Sequence, residues 1–281
     1  MNDDDRNKIT IAILPVFMML AMAISTATVH AADNTAAALN KLLTGDHRSA
    51  ENKARDQYRH PVETLTFFGI KPDMTVVEIF PGGGWYTEIL APFLKDEGKY
   101  YAAGTDPDSS SKFAREAAKR FKEKMDADEI YSKVNITVLA PPDKATIAPA
   151  GTADMVLTFR NIHNWMGGGY ADDVFNAMYK ALKPGGTLGV VEHRGNPKIP
   201  QDPEAGSGYV NQDHAIKLAE KAGFKFVASS EVNANPRDTK DYKKGVWTLP
   251  PTFTLKDKDR DKYLAIGESD RFTLKFIKPV Q

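Results

Sequence analysis

Short apolar runs and longer amphipathic stretches take turns along the middle of this chain. "TVVEIF" (75–80), "KYYAAGTD" (99–106), "NITVLA" (135–140), "ADMVLTF" (153–159), "TLGVVEH" (187–193) and "KFVASSEV" (225–232) read as strands. Between them, "WYTEILAPFL" (85–94), "SSKFAREAAKRFKEKM" (110–125), "ADDVFNAMYKALKPGG" (171–186) and "NQDHAIKLAEKAGF" (211–224) carry apolar residues at helical spacing. Runs without polar alternation suit strands buried on both faces, and the strand–helix rhythm predicts right-handed βαβ units. The expected class is α/β, a mostly parallel sheet with helices on both faces. A polar helical extension over 32–61, broken at Gly45, precedes the α/β domain of 62–281. An insertion at about 233–270, containing "WTLPPTF", interrupts the rhythm, and "RFTLKFIKP" (271–279) alternates as a sheet-edge strand or hairpin would.

The first 31 residues follow another pattern. Arg6 and Lys8 precede "ITIAILPVFMMLAMAIS", and "VHA" ends at Ala31 with small residues at 29 and 31. That order predicts a signal peptide cleaved after Ala31 and a periplasmic or secreted protein. Asp3, Asp4 and Asp5 depart from the usual positive start, and an uncleaved N-terminal membrane anchor is the alternative. The apolar run falls short of the about 20 residues a span needs, and no later segment could cross a membrane.

Composition narrows the function. Lys+Arg and Asp+Glu both number 37, with no dense basic run, which speaks against a nucleic-acid partner. With no cysteine, disulfides, thiolate metal sites and cysteine nucleophiles are excluded. Oligomeric state leaves no mark in the sequence.

The densest chemical signal is "EIFPGGGWYTEIL" (78–90), three glycines between the first strand and the first helix. In a parallel sheet, ligands sit beyond the carboxyl ends of the strands, where strand order reverses. Gly82, Gly83 and Gly84 there would let backbone approach a ligand, though many such turns only join two elements. Glu78 ends the strand at that edge. Asp106 ends the second strand, where a carboxylate can accept from both ribose hydroxyls.

These segments together resemble the class I S-adenosylmethionine-dependent methyltransferases over about residues 62–232. "VVEIFPGGGWYT", "GTD", "ADMVLTFRNIHNW" and "ALKPGGTLGVVEH" carry the resemblance. It implies a Rossmann-like sheet of seven strands whose last, here 271–279, is antiparallel. It also implies cofactor contacts from Glu78, Phe80, Gly82, Gly83, Gly84, Asp106 and Asn161. More closely, the chain looks like a subgroup described as predicted methyltransferases with export signals, through "HNW" (163–165), "SGYV" (207–210), "GVWTLPP" (245–251) and "GESDR" (267–271). One departure matters: the family's motif puts glycine at 80, where this chain has Phe80 followed by Pro81. The ring either blocks the space for the cofactor's methionine part or turns aside.

Methyl transfer needs alignment and sometimes a base. His163, after the fourth strand, is the first candidate for that base; a histidine merely capping the strand end is the bland alternative. His193, with Glu192 and Arg194, is a second candidate, either catalytic or binding an acidic substrate. Tyr86 is a third, with lid packing as its competing reading. "DHRS" (46–49) and "RDQYRH" (55–60) read as a substrate lid, as a metal site with His163, His193 and His214, or as a solvated helix face. No His-x-x-x-His spacing is present, and no metal is expected. The function expected is S-adenosylmethionine-dependent methyl transfer to a small molecule. The alternative is a non-enzymatic envelope protein on the same scaffold, holding another small ligand or metal.

Overall fold

In the computed structural model, residues 34–280 are described; the expected signal segment lies outside them. Seven strands form one sheet: β1 (Thr75–Ile79), β2 (Lys99–Gly104), β3 (Val134–Val138), β4 (Ala153–Phe159), β5 (Leu182–His193), β6 (Lys225–Ser230) and β7 (Arg271–Ile277). Their order is β3-β2-β1-β4-β5-β7-β6. The first five pair in parallel and β7 runs antiparallel to both neighbours. Strand order therefore reverses between β1 and β4, the place where open α/β sheets bind ligands.

Strand faces alternate strictly at the centre. Val77 and Ile79 join a core layer with Val156, Phe175, Met178 and Phe272. Val76 joins the opposite layer with Leu65, Ile89, Leu90 and Met155. The covering helices are α1 (described over 34–43), α2 (Ala50–Lys53), α3 (Asp56–Arg59), α4 (Pro61–Phe68), α5 (Thr87–Leu94), α6 (Lys112–Asp126), α7 (Ile162–Gly168), α8 (Ala171–Ala181), α9 (Gln212–Lys221) and α10 (Arg260–Ile266). Ser111 caps α6 by accepting from the Ala114 amide, as its place before the amphipathic run predicts. Among the described residues no helix is long and apolar enough to cross a membrane.

Three expectations need correction. β7 is no edge or hairpin strand: it fills the gap between β5 and β6, and Phe272, Leu274 and Phe276 are fully buried. The Lys183-Pro184-Gly185-Gly186 stretch does not extend α8, which ends at Ala181; Pro184 cannot continue a helix, and β5 starts at Leu182. "IHNWMGG", treated above as a strand-end segment, forms α7.

Candidate functional site

Two strands end in the same unusual way. Phe80 follows β1, donates its amide to Ala103 and turns left-handed, with φ 46°. Arg160 follows β4, donates its amide to Val191 and turns left-handed, with φ 62°. A non-glycine residue in that region costs about 1–3 kcal/mol and persists only where its surroundings hold it. The two stand side by side at the reversal point, because β1 and β4 are neighbours. Asn161 links them, donating to the Ile79 carbonyl at 2.9 Å.

Phe80 separates two clefts. Its half-buried ring tilts toward Trp165, with centroids 6.4 Å apart, and borders both spaces. On the β2–β3 side lies an apolar cleft of about 650 Å³, walled by Phe113 and Phe121 of α6, Ile136 and Val138 of β3, and Trp165. Phe113 and Ile136 are exposed there, 77% and 45%. A Cβ built on Gly82 or Gly104 would meet nothing within 4 Å, so this edge of the cleft is bare backbone; Gly83, equally open, lines the cleft on the other side. Gly82 and Gly84 have φ 59° and 78°, which an L side chain would strain.

Under the glycine turn sits Glu78, fully buried, accepting from the Thr87 hydroxyl at 3.0 Å and from the Tyr100 hydroxyl. Burial pushes its carboxyl up to about 7 despite those two donors. Asp106 lies two residues beyond β2 and is held by Lys144 at 2.8 Å, which draws its pKa down. A ribose there would share that carboxylate with the lysine.

On the other side of Phe80 is a polar cleft of about 360 Å³. Four segments remote in sequence, "HNW", "SGYV", "GVWTLPP" and "GESDR", meet around it. His163 comes from the first, Val246, Trp247, Pro250 and Pro251 from the third, and Glu268 and Arg271 from the fourth; Tyr209, from the second, lies edge-on to His193. Gly208 and Gly245 allow this docking. Val246 donates its amide to Ser207, and a Cβ on Gly208 would come within 2.3 Å of Val246.

His163 and Glu192 form a buried pair at this cleft. The Glu192 carboxylate accepts from the amides of Ile162 at 2.6 Å and His193 at 2.8 Å, and faces Nδ1 of His163 at 3.1 Å. A carboxylate bound by backbone donors can only accept, so Nδ1–H of His163 donates to it, and Nε2 has no hydrogen-bond partner among the described residues. His193 lies beside it, ring centroids 5.4 Å apart, with Nδ1 at 2.5 Å from the Ser269 hydroxyl. Burial, with His163 and the guanidiniums of Arg271, Arg160 and Arg59 nearby, holds His193 well below its ordinary pKa and hence neutral. His163, Glu192 and His193 place ligand-type atoms within 4.8 Å of one another. Glu192 is already saturated by amides, however, and arginines line the same cleft, a poor setting for a cation. His214 lies on α9 near Pro197 and Lys198, remote from this cluster.

Tyr86 is a wall of the polar cleft. Its ring stacks on Phe159 at 3.5 Å, and burial pushes its hydroxyl up to about 12. Arg194 turns away, pairing with Glu231 at 2.7 Å. Arg55, Arg59, Arg160 and Arg271 line the polar cleft instead; Arg55 and Arg59 belong to the segment read as a lid, whereas Arg160 and Arg271 were not singled out. The solvated-face reading of 46–60 holds in part: Asp46 and Glu51 are exposed, but Arg48 and Arg59 are only 3% and 4% exposed. Glu88 of α5 gathers that segment: Asn52 donates to it at 2.9 Å, Lys124 at 2.6 Å, and Arg48 lies 3.6 Å away. Trp85 donates to the Asn52 carbonyl and lies under the Arg59 guanidinium, 4.6 Å from its ring centre. The signals were present in the sequence as the Arg directly after a strand in "TFRN" and the charges flanking the last strand in "GESDR".

No protein-family model and no curated protein matches the sequence. Among solved structures it is similar to a SAM dependent methyltransferase from Aquifex aeolicus, at TM-score 0.53 and 18% identity over 80% of this chain and 93% of that one. It is also similar to the [4+2]-cyclase SpnF, at 0.56 and 15% over 85% and 86%. A third is phosphoethanolamine N-methyltransferase 2 from Haemonchus contortus in complex with S-adenosyl-L-methionine, at 0.50 and 16% over 79% and 53%. At such identities the likeness is one of fold: the chain has the Rossmann-like fold of the SAM-dependent methyltransferases. A cyclase among the neighbours illustrates that this fold does not fix the chemistry.

Proposed function

We propose that the chain is an S-adenosylmethionine-dependent methyltransferase acting on a small molecule, with His163 as general base. The observation that carries this reading is the pairing of an apolar cleft edged by bare glycine backbone with an adjoining polar cleft holding the Glu192–His163 pair. The apolar cleft lies within the roughly 300–1,000 Å³ usual for small-molecule sites. Gly82, Gly83 and Asn161 would hold the cofactor's backbone-facing side, Glu78 its amino end and Asp106 its ribose. When bound, the cofactor supplies a methyl group on a sulfonium. The chain's own part is to orient the acceptor in the polar cleft, exclude water behind Trp247 and the Pro250–Pro251 pair, and take the acceptor's proton at Nε2 of His163. Glu192 then faces an imidazolium and stabilises it.

The segment 1–31 belongs to the proposal as an export signal, which places the mature protein in the cell envelope. N-terminal sequencing of envelope protein should start near Ala32; an intact Met1 on cytoplasmic protein removes that part. The second reading, a non-catalytic binding protein, draws support from Phe80 standing where the family has glycine.

Calorimetric titration with S-adenosylmethionine and S-adenosylhomocysteine tests the cofactor. Saturable 1:1 binding of both is expected, and no heat with either overturns the reading. With methyl-labelled S-adenosylmethionine and a small-molecule extract as acceptor pool, His163→Ala should lower transfer by roughly 10²–10⁴-fold, the usual contribution of a positioned base. S-adenosylhomocysteine affinity should stay unchanged. Undiminished transfer in that variant would remove His163 as the base.

A further inference from the structure

The polar cleft has a charge imbalance. Arg55, Arg59 and Arg271 converge on one carboxylate, Glu268, at 2.6 Å for Arg55 and 3.3 Å for Arg59, with Arg271 in close contact. Burial raises the Glu268 pKa, but the three guanidiniums more than cancel this and hold it well below the carboxylate range. One ionised acid thus serves three cations. Arg160 adds a fourth, and among the described residues its guanidinium has neither an ion-pair nor a side-chain hydrogen-bond partner. The remaining acid on the wall, Glu78, sits behind the glycine turn, engaged by Thr87 and Tyr100. Glu192, the other carboxylate at this cleft, is taken by the amides of Ile162 and His193 and by His163, while Asp56 and Glu88 are committed to Arg48 and Lys124.

Burial and the neighbouring Arg271 draw Arg160 down to about 10, while burial and Arg160 hold Arg59 well below its ordinary value. Guanidinium remains charged at neutral pH all the same. Arg160 is partly exposed to the cleft, so only solvent meets its charge, whereas its three neighbours share Glu268. That unpaired charge sits on a left-handed backbone in a cleft open to solvent. Strain and unpaired charge at one residue, facing a cleft, point to a ligand that completes the pairing.

Building on the methyltransferase reading, we infer that the acceptor carries an oxyanion, a carboxylate or phosphate, seated on the Arg160 guanidinium with Arg55, Arg59 and Arg271 around it. Arg160 directly precedes Asn161 and α7, so an anion on it lies in the cleft that His163 faces. The planar fork of an arginine suits either oxyanion bidentately. This makes Arg160 a specificity-determining residue: neutral acceptors leave the imbalance uncorrected.

The test titrates inorganic phosphate and malonate into the wild-type protein, with and without saturating S-adenosylhomocysteine. One site is expected for at least one of the two anions, with affinity changed less than about 2-fold by S-adenosylhomocysteine. Competition with S-adenosylhomocysteine but not with methylthioadenosine, which lacks the amino-acid part, would give Arg160 to the cofactor's own carboxylate and overturn the inference. Absence of binding by either anion also overturns it. Arg160→Met should weaken the anion at least 10-fold, and Arg160→Lys less. Unchanged binding in a folded Arg160→Met sinks the proposal, and the wild-type competition decides even if neither variant folds. Anion binding without any S-adenosylhomocysteine binding would retire the methyltransferase reading and leave the oxyanion site standing.

Discussion

Phe80 and Arg160 hold equivalent places at the ends of adjacent strands, yet only one was readable in advance. The family's glycine at 80 leaves room that a phenyl ring takes up, so Phe80 was visible as a misfit, though its left-handed backbone was not. No glycine marks 160, and an arginine after a strand looks like any loop charge until the sheet brings β1 and β4 together. For Phe80 the structure supplies a direction: the ring leans on Trp165 and borders both clefts. Phe80→Gly relieves about 1–3 kcal/mol of backbone strain and loses about 1.5–3 kcal/mol of burial at most, so net stability should change by less than about 2 kcal/mol. Chemical denaturation reads this. S-adenosylmethionine affinity should move less than about 5-fold. A gain beyond 100-fold would mean that the ring fills the cofactor's place and would favour the binding-protein reading.

At the scale of elements, most of the sheet was legible because β1, β4 and the helices over them obey their periods without conflict. β7 misled for a physical reason. Arg271, Thr273 and Lys275 give it the alternation of a half-exposed strand, but Arg271 and Thr273 are buried, Lys275 directs its ammonium to the Phe67 carbonyl, and Lys278, just past the strand, to the carbonyls of Tyr179 and Leu182. Both lysines lie along the sheet's surroundings with their charges satisfied by backbone. The N-terminal segment misled in the opposite direction, since two of its arginines, Arg48 and Arg59, are buried beside Glu88 and Trp85 while Asp46 and Glu51 stay exposed. Glu88→Ala leaves Arg48 and Lys124 without that partner and should cost about 3 kcal/mol, the low end for breaking a buried pair because Asp56 still holds Arg48 at 2.7 Å. A loss under about 1 kcal/mol in urea unfolding would show that the extension docks on its apolar contacts alone.

For the molecule as a whole, the buried acids and His193 set a stability profile with opposing slopes. Glu78 has a folded pKa of about 7 against 4.5 unfolded, so it keeps a proton that the unfolded chain gives up, and its contribution declines as pH rises from 4.5 to 7. Glu268 is shifted down, so its contribution is full above 4.5 and is lost as pH falls below that. His193, also shifted down, adds stability that is lost as pH falls below 6.5. Comparing wild type with Glu78→Gln isolates the first group. The wild type should lose up to about 3 kcal/mol relative to the variant between pH 4.5 and 7, at 1.36 kcal/mol per pKa unit. A pH-independent difference would mean that Glu78 titrates normally.

The position of β7 also dictates an order of events during synthesis. It is the last of the seven strands to leave the ribosome, yet its place is inside the sheet, so β5 and β6 must wait for it with open edges. Such late, long-range pairing is slow to nucleate. Glu268 and Arg271 arrive with this strand, and the polar cleft therefore closes only as the sheet does. For the export proposed from residues 1–31, this delay suits a chain that would cross a membrane unfolded, since the sheet is not complete before β7 is made.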